Sequence, residues 1–137
     1  GGGMAKVIGL GGVFFLCEDP EATQAWYSEV LGIEATEYGG FSFAHAASAA
    51  CFPKGARTIL SPFSGDSDYF SPSNRDVMFN LMVDDLDGIL AHAEAAGARQ
   101  VQPGEDYDYG RFAWLMDPDG RKVELWEPKE PAETPQD

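Results

Sequence analysis

Apolar positions fall into two blocks with the same internal order. From Lys6 to Cys17 the chain is almost continuously apolar, with β-branched and aromatic residues, which predicts a strand. Asp19-Pro20-Glu21 follows with an N-cap acceptor, a proline at the first helical position and an acid in the first turn. Ala22, Trp26, Tyr27, Val30 and Leu31 then share one helical face, and Gly32 supplies a stop. The order returns at Val77 to Val83, a predicted strand, followed by a helix capped at Asp84 or Asp85. Its apolar stripe is Leu86, Ile89, Leu90 and Ala93, and Gly97 ends it. Each helix is trailed by three short extended pieces. In the first block these are Ile33 to Glu37, Phe41 to His45 and Arg57 to Ser61. In the second they are Arg99 to Val101, Arg111 to Met116 and Lys122 to Trp126. Ala46 to Lys54 and Gly104 to Asp108 read as loops, and Asp117-Pro118-Asp119-Gly120 as a tight reversal. The pattern is βαβββ twice, an α+β arrangement with modules at residues 4–62 and 77–128. A Ser-, Asp-, Pro- and Gly-rich linker, residues 63–76, joins them.

Composition narrows the partners. With 44% hydrophobic residues and 12% aromatics among 137, the chain can build a core and is not a disordered one. A formal charge of −14 repels nucleic acid and anionic membrane surfaces, so neither is expected as a partner. Residues 129–137 read as a solvated acidic, Pro/Glu-rich tail, and Gly1-Gly2-Gly3 ahead of Met4 as a cloning remnant. Cys17 and Cys51 form neither a disulfide framework nor a zinc pattern. No stretch approaches the ~18 apolar residues of a membrane helix, and a reducing cytoplasm is the expected setting.

The stretch from Gly12 to Leu31, closing on Ala25-Trp26-Tyr27-Ser28-Glu29-Val30-Leu31-Gly32, resembles the opening of vicinal-oxygen-chelate proteins. That superfamily includes glyoxalase I, bleomycin-resistance proteins and extradiol dioxygenases. Tyr109-Gly110-Arg111-Phe112-Ala113-Trp114, Asp117-Pro118-Asp119-Gly120 and Val123-Glu124-Leu125-Trp126-Glu127-Pro128 are similar to its C-terminal signature. The resemblance implies one glyoxalase-like domain, residues 4–128, whose two βαβββ modules form a cupped mixed sheet around a cavity with helices on the outer face. Metal-dependent members hold a divalent ion there with up to four His, Glu or Gln side chains from the first and last strands of each module. Overlaying Asp19 on Asp85 sets Gly12 opposite Met78, and overlaying Gly55 on Gly120 sets Ile59 opposite Glu124. Of these four only Glu124 suits a hard cation, because Met offers a soft thioether and the other two no donor at all. Protein metal sites use about three or four ligands. No metal and no other cofactor is therefore expected, and any divalent ion would rest on Glu124.

Strand alternation then sorts the lining. If Gly12 and Met78 face the cavity, so do Phe14, Leu16, Asn80 and Met82, and on the last strand Glu124 with Trp126. Trp114 completes the wall, while Tyr69, Phe70, Tyr107 and Tyr109 come from loops at the mouth. A carboxylate among such neighbours needs a donor, for which Arg111, Tyr109 and Asn80 are candidates. Glu124 is either a structural hydrogen-bond centre or a ligand contact and general base. His45 is either a cavity acid–base group or a strand-end residue, and His92 lies on the polar side of its helix. Aromatic and Met walls with few polar groups suit a flat or greasy small molecule. The expected function is metal-free binding of an aromatic or cationic antibiotic or metabolite, in the manner of the antibiotic-sequestering members. The resemblance also implies a homodimer with clefts at or near the subunit interface. The alternative is a lyase, isomerase or dioxygenase using Glu124 as metal ligand or base.

Overall fold

The computed structural model describes residues 4–130. Four strands, β1 (Phe79–Met82), β2 (Gln102–Tyr107), β3 (Gly110–Met116) and β4 (Lys122–Pro128), form one mixed sheet in the order β1-β4-β3-β2. β1 runs parallel to β4, and the other pairs are antiparallel. Helices α1 (Pro20–Leu31) and α3 (Leu86–Ala95) pack on one face of the sheet, and a short α2 (His45–Cys51) lies between them in sequence. The second half is thus β1-α3-β2-β3-β4, the predicted βαβββ order, and the α+β class holds.

Local chemistry sets the helix ends. Asp19 accepts from the Ala22 N–H at 3.2 Å and Pro20 occupies the first turn. Gly32, at φ 71°, closes α1 in the left-handed conformation and returns its N–H to the Ser28 carbonyl at 3.0 Å. In α3 it is Asp85, not Asp84, that caps, accepting from Gly88 N–H at 3.1 Å. The buried faces of both helices, Tyr27, Val30 and Leu31 with Leu86 and Ala93, meet Ala113, Leu115, Val123 and Leu125 of the sheet. Each fully buried Leu or Val contributes ~1.5–3 kcal/mol by leaving water.

The first half departs from expectation. Lys6 to Cys17 joins no sheet, and neither do Ile33 to Glu37, Phe41 to His45 or Arg57 to Ser61. Apolar, β-branched composition makes a segment fit a sheet, yet a strand exists only where a second backbone completes the ladder. Only the end of Lys6 to Cys17 is tied down: Phe15 meets Phe79 edge-on at 4.8 Å, and Arg121 donates to the Leu16 carbonyl at 3.0 Å. Ala46 to Lys54 is not a plain loop, since His45 to Cys51 is helical, as befits four alanines in seven residues. Gly104 to Asp108 is largely strand, not loop. β2 carries an irregularity between Gln102 and Glu105, where Gly104 lets the chain approach the Phe112 carbonyl. The strand expected at Arg99 to Val101 lies outside β2, which begins three residues after Arg99, at Gln102.

Candidate functional site

Helices cover one face of the sheet, and the other carries Glu124. Register places Asn80 of β1 and Trp114 of β3 directly beside it. Alternation turns all three side chains the same way, away from Val123, Leu125, Ala113 and Leu115. Trp114 Nε1 donates to Glu124 Oε2 at 2.8 Å and Asn80 Nδ2 donates to Oε1 at 2.6 Å. A third donor arrives from the linker, whose Tyr69 hydroxyl reaches Oε2 at 2.5 Å. Glu124 is only 7% exposed. A buried carboxylate is tolerable when hydrogen-bond donors replace water, and here three donors occupy most of its about four acceptor sites. Burial, then the hydrogen bond and charge of Glu124, push the Tyr69 hydroxyl pKa well above its ordinary value.

Lys122 sits two residues before Glu124 on the same face and is buried. Its Nζ donates to the Tyr69 carbonyl at 2.9 Å and lies 5.4 Å and 5.6 Å from the Tyr69 and Trp114 ring centroids. Burial pulls its pKa down while the charge of Glu124 opposes that. Sequence reasoning passed over Lys122, although the alternation that placed Glu124 and Trp126 places it too.

Rings extend the face. Phe112 stacks between Trp114 and Trp126, at 6.3 Å and 17° on one side and 6.4 Å and 9° on the other. Tyr107 and Tyr109 stack on each other at 5.2 Å and present edges to Phe112. Gly110, at φ 153°, makes room for Trp126, whose indole occupies the space a Cβ would take. The indole N–H reaches the Tyr109 carbonyl at 3.3 Å. On the linker side Phe63 stacks on Tyr69 at 5.4 Å and packs against Phe70.

The structure therefore brings together Asn80, Trp114, Glu124 and Trp126, with Tyr109 on the rim and half-buried Met78 and Met82 flanking Asn80 along β1. Other expected residues lie elsewhere. Phe14 is 98% exposed, because the segment bearing it never joins the sheet. Arg111 is no donor to Glu124: it shares the helix-side alternation of Ala113 and pairs with Asp87 of α3 at 2.8 Å. That pairing lowers the Asp87 pKa. His45 opens α2 as an exposed residue instead of ending a strand. His92 is exposed, but its Nε2 bonds the Glu29 carbonyl at 2.8 Å and ties α3 to α1.

Of the four positions compared with a metal-ligand set, Gly12 and Ile59 lie in exposed segments outside the sheet. Among the described residues no three His, Cys, Asp or Glu side chains are grouped to hold an ion. Glu124 is the lone anionic group of this hydrogen-bonded set, and all three of its partners turn a neutral N–H or O–H donor toward it. These residues do not fit a divalent metal. Two open clefts, of about 510 Å³ beside Leu90 and Leu115 and about 330 Å³ beside Arg75 and Met116, do not include Glu124.

A second polar cluster had no sequence signal beyond a turn. Asp117 accepts from Tyr27 Oη and from Arg121 Nη1, each at 2.8 Å, and from the N–H groups of Asp119 and Arg121. Arg121 also lies over the Phe15 ring and pairs with Asp119. The cluster pins α1 and the segment before it to the β3–β4 turn. Burial, then the Asp117 charge, raise the Tyr27 pKa far above its usual range.

Comparison with known proteins follows from this geometry. No curated protein is significantly similar to the chain. Among solved structures, an antibiotic-binding protein, TnmS3 from Streptomyces sp. CB03234, is 23% identical, covering 82% of this chain and 89% of its own at a TM-score of 0.50. A protein of unknown function from Agrobacterium tumefaciens is 18% identical over 88% and 98% of the two chains, with a TM-score of 0.53. An integron cassette protein from the mobile metagenome of V. cholerae is 17% identical over 86% and 98%, at 0.50. These similarities establish fold. The family model of the glyoxalase-like domain matches residues 12–126, and the chain belongs to that family, within the vicinal-oxygen-chelate superfamily.

Proposed function

We propose that this protein binds a small, flat, aromatic molecule on the Glu124 face of its sheet, without a metal and without catalysing a reaction. One observation carries this. A buried carboxylate with three neutral donors sits beside a stack of Trp126, Phe112 and Trp114. Aromatic surface supplies burial and stacking, and a single fixed polar group supplies orientation. TnmS3, described as antibiotic-binding, has the same fold. A homodimer in the cytoplasm belongs to the same proposal. Val7, Ile8, Phe14 and Leu16 leave an apolar, unpaired segment in water, and a second copy is the partner we assign to it.

The test is a broad screen of aromatic drugs and metabolites read by tryptophan fluorescence, followed by calorimetry. Trp126→Ala is expected to weaken any hit at least about tenfold, since one base-sized aromatic contact is worth ~1–3 kcal/mol. A screen without hits, or hits indifferent to both Trp126→Ala and Trp114→Ala, removes the proposal. Stoichiometric Ni, Zn, Mn or Fe in protein purified without chelators removes its metal-free part.

A further inference from the structure

We propose that the Glu124 site takes a neutral hydroxyaromatic molecule, whose phenol replaces the Tyr69 hydroxyl on Glu124 Oε2 when the linker yields that place. This rests on the small-molecule reading above and names the ligand chemistry of the same site. Tyr69 is itself a phenol delivered to the site by the chain. Its hydroxyl donates to the carboxylate at 2.5 Å while its ring lies beside the Lys122 ammonium at 5.4 Å. Of the three donors, Trp114 and Asn80 come from the sheet, and their bonds survive if the linker moves. Departure of Tyr69 therefore opens one acceptor position on Oε2 and nothing else on the carboxylate. A molecule with an O–H there restores the bond. One without it leaves a buried charged acceptor short of a partner, and sites built around such a bond discriminate strongly against the analogue.

The charge of the ligand follows from Lys122. That ammonium is buried beside the Tyr69 and Trp114 rings, and the charges of Glu124, then Glu105 and Asp68, act on it. An entering cation meets Lys122 as a like charge, whereas an electron-rich ring gains from it. Tyr69 is also the donor able to leave: it is 38% exposed, and its stacking partner Phe63 belongs to the same linker and can move with it. Because Tyr69 is tethered, it competes at the ~mM effective concentration of a short flexible link.

The experiment titrates 2-naphthol, 2-methoxynaphthalene and 2-naphthylmethylammonium into the full chain and into Tyr69→Phe, by calorimetry and tryptophan fluorescence. Expected are binding of 2-naphthol about tenfold tighter to Tyr69→Phe, a factor worth ~1.4 kcal/mol, and both other compounds at least about tenfold weaker than 2-naphthol. Glu124→Gln should shrink the difference between 2-naphthol and its methyl ether. The proposal is overturned if the ether or the ammonium matches 2-naphthol, if Tyr69→Phe leaves 2-naphthol affinity unchanged, or if 2-naphthol binds neither protein. In each of those cases the broader reading still stands if some screened aromatic binds in a Trp126-dependent way, and falls only if none does.

Discussion

Asp117→Ala tests what holds the first half of the chain to the second. The Asp117 side chain is fully buried and that of Arg121 is 3% exposed. One carboxylate there takes four hydrogen bonds: from Tyr27 Oη, from Arg121 Nη1, and from two backbone N–H groups of the turn. Alanine strands the Tyr27 hydroxyl and removes one partner of a buried guanidinium. Breaking a buried ion pair from one side costs ~3–5 kcal/mol. Arg121 keeps Asp119 and the Leu16 carbonyl, so the loss should fall near the lower end, ~3 kcal/mol. Against a total of ~5–15 kcal/mol this is large. Urea unfolding followed by tryptophan fluorescence measures it as a lowered midpoint at unchanged slope. Tyr27→Phe removes one bond and should cost ~1 kcal/mol, and the double variant should cost less than the sum, since both act through the same carboxylate. A loss below ~1 kcal/mol for Asp117→Ala would show that the cluster only replaces bonds to water.

Alkaline stability follows from Tyr27. Its folded pKa is raised above the ordinary 10.0, first by burial and then by Asp117, so its stabilisation is whole below about pH 10 and declines as pH rises further. The decline should approach ~1.4 kcal/mol per pH unit, and Tyr27→Phe should remove that part of the slope. Parallel urea midpoints for the two proteins above pH 10 would refute it. Gly110→Ala places a methyl group in the space of the Trp126 indole and near the Glu127 carbonyl, and should destabilise by ~1–3 kcal/mol while disturbing ligand binding. Wild-type stability and wild-type affinity together would contradict the assigned packing. In light scattering the protein should run at twice the chain mass, and Phe14→Asp with Leu16→Asp should shift it toward monomer. A monomer at micromolar concentration would count against the second copy as the partner of residues 7–16.

What could be read from the residues divides along the range of the interactions. Helix ends were legible because Asp19, Pro20, Gly32 and Asp85 act within four residues of themselves. The β3–β4 hairpin was legible because its turn chemistry and its alternation agree. Strand pairing in the first half was not. Lys6 to Cys17 has strand composition throughout, but nothing in its own residues says whether another backbone meets it. The alanines after His45 carry a helix signal by propensity, against the loop expected at Ala46 to Lys54. At the site, the internal repeat singled out Glu124, and period-two alternation supplied Asn80 and Trp126. The same rule, applied to Arg111, would have sent it to the helix side and to Asp87. Arg121 was invisible as a tie between the halves, because its bond to the Leu16 carbonyl, and that of Tyr27 to its neighbour Asp117, reach across most of the sequence.

That contrast sharpens what Glu124 means. It lies between Val123 and Leu125, whose side chains fill the opposite, apolar face of the sheet, and beside Asn80, Trp114 and Lys122 on its own face. A leucine there would need no donor, whereas the carboxylate requires an indole, an amide and a phenol to be tolerable. Replacing buried ionic groups with well-packed apolar ones is often neutral or stabilising, so packing alone gives no reason for an acid at this position. Nor do the residues around it supply the further ligands a metal would need. Part of the need for this charge lies in the fold, because the buried Lys122 ammonium draws on it, and the ligand we propose would use the same carboxylate. The phenol now occupying it is the one donor of the three that the sheet does not hold.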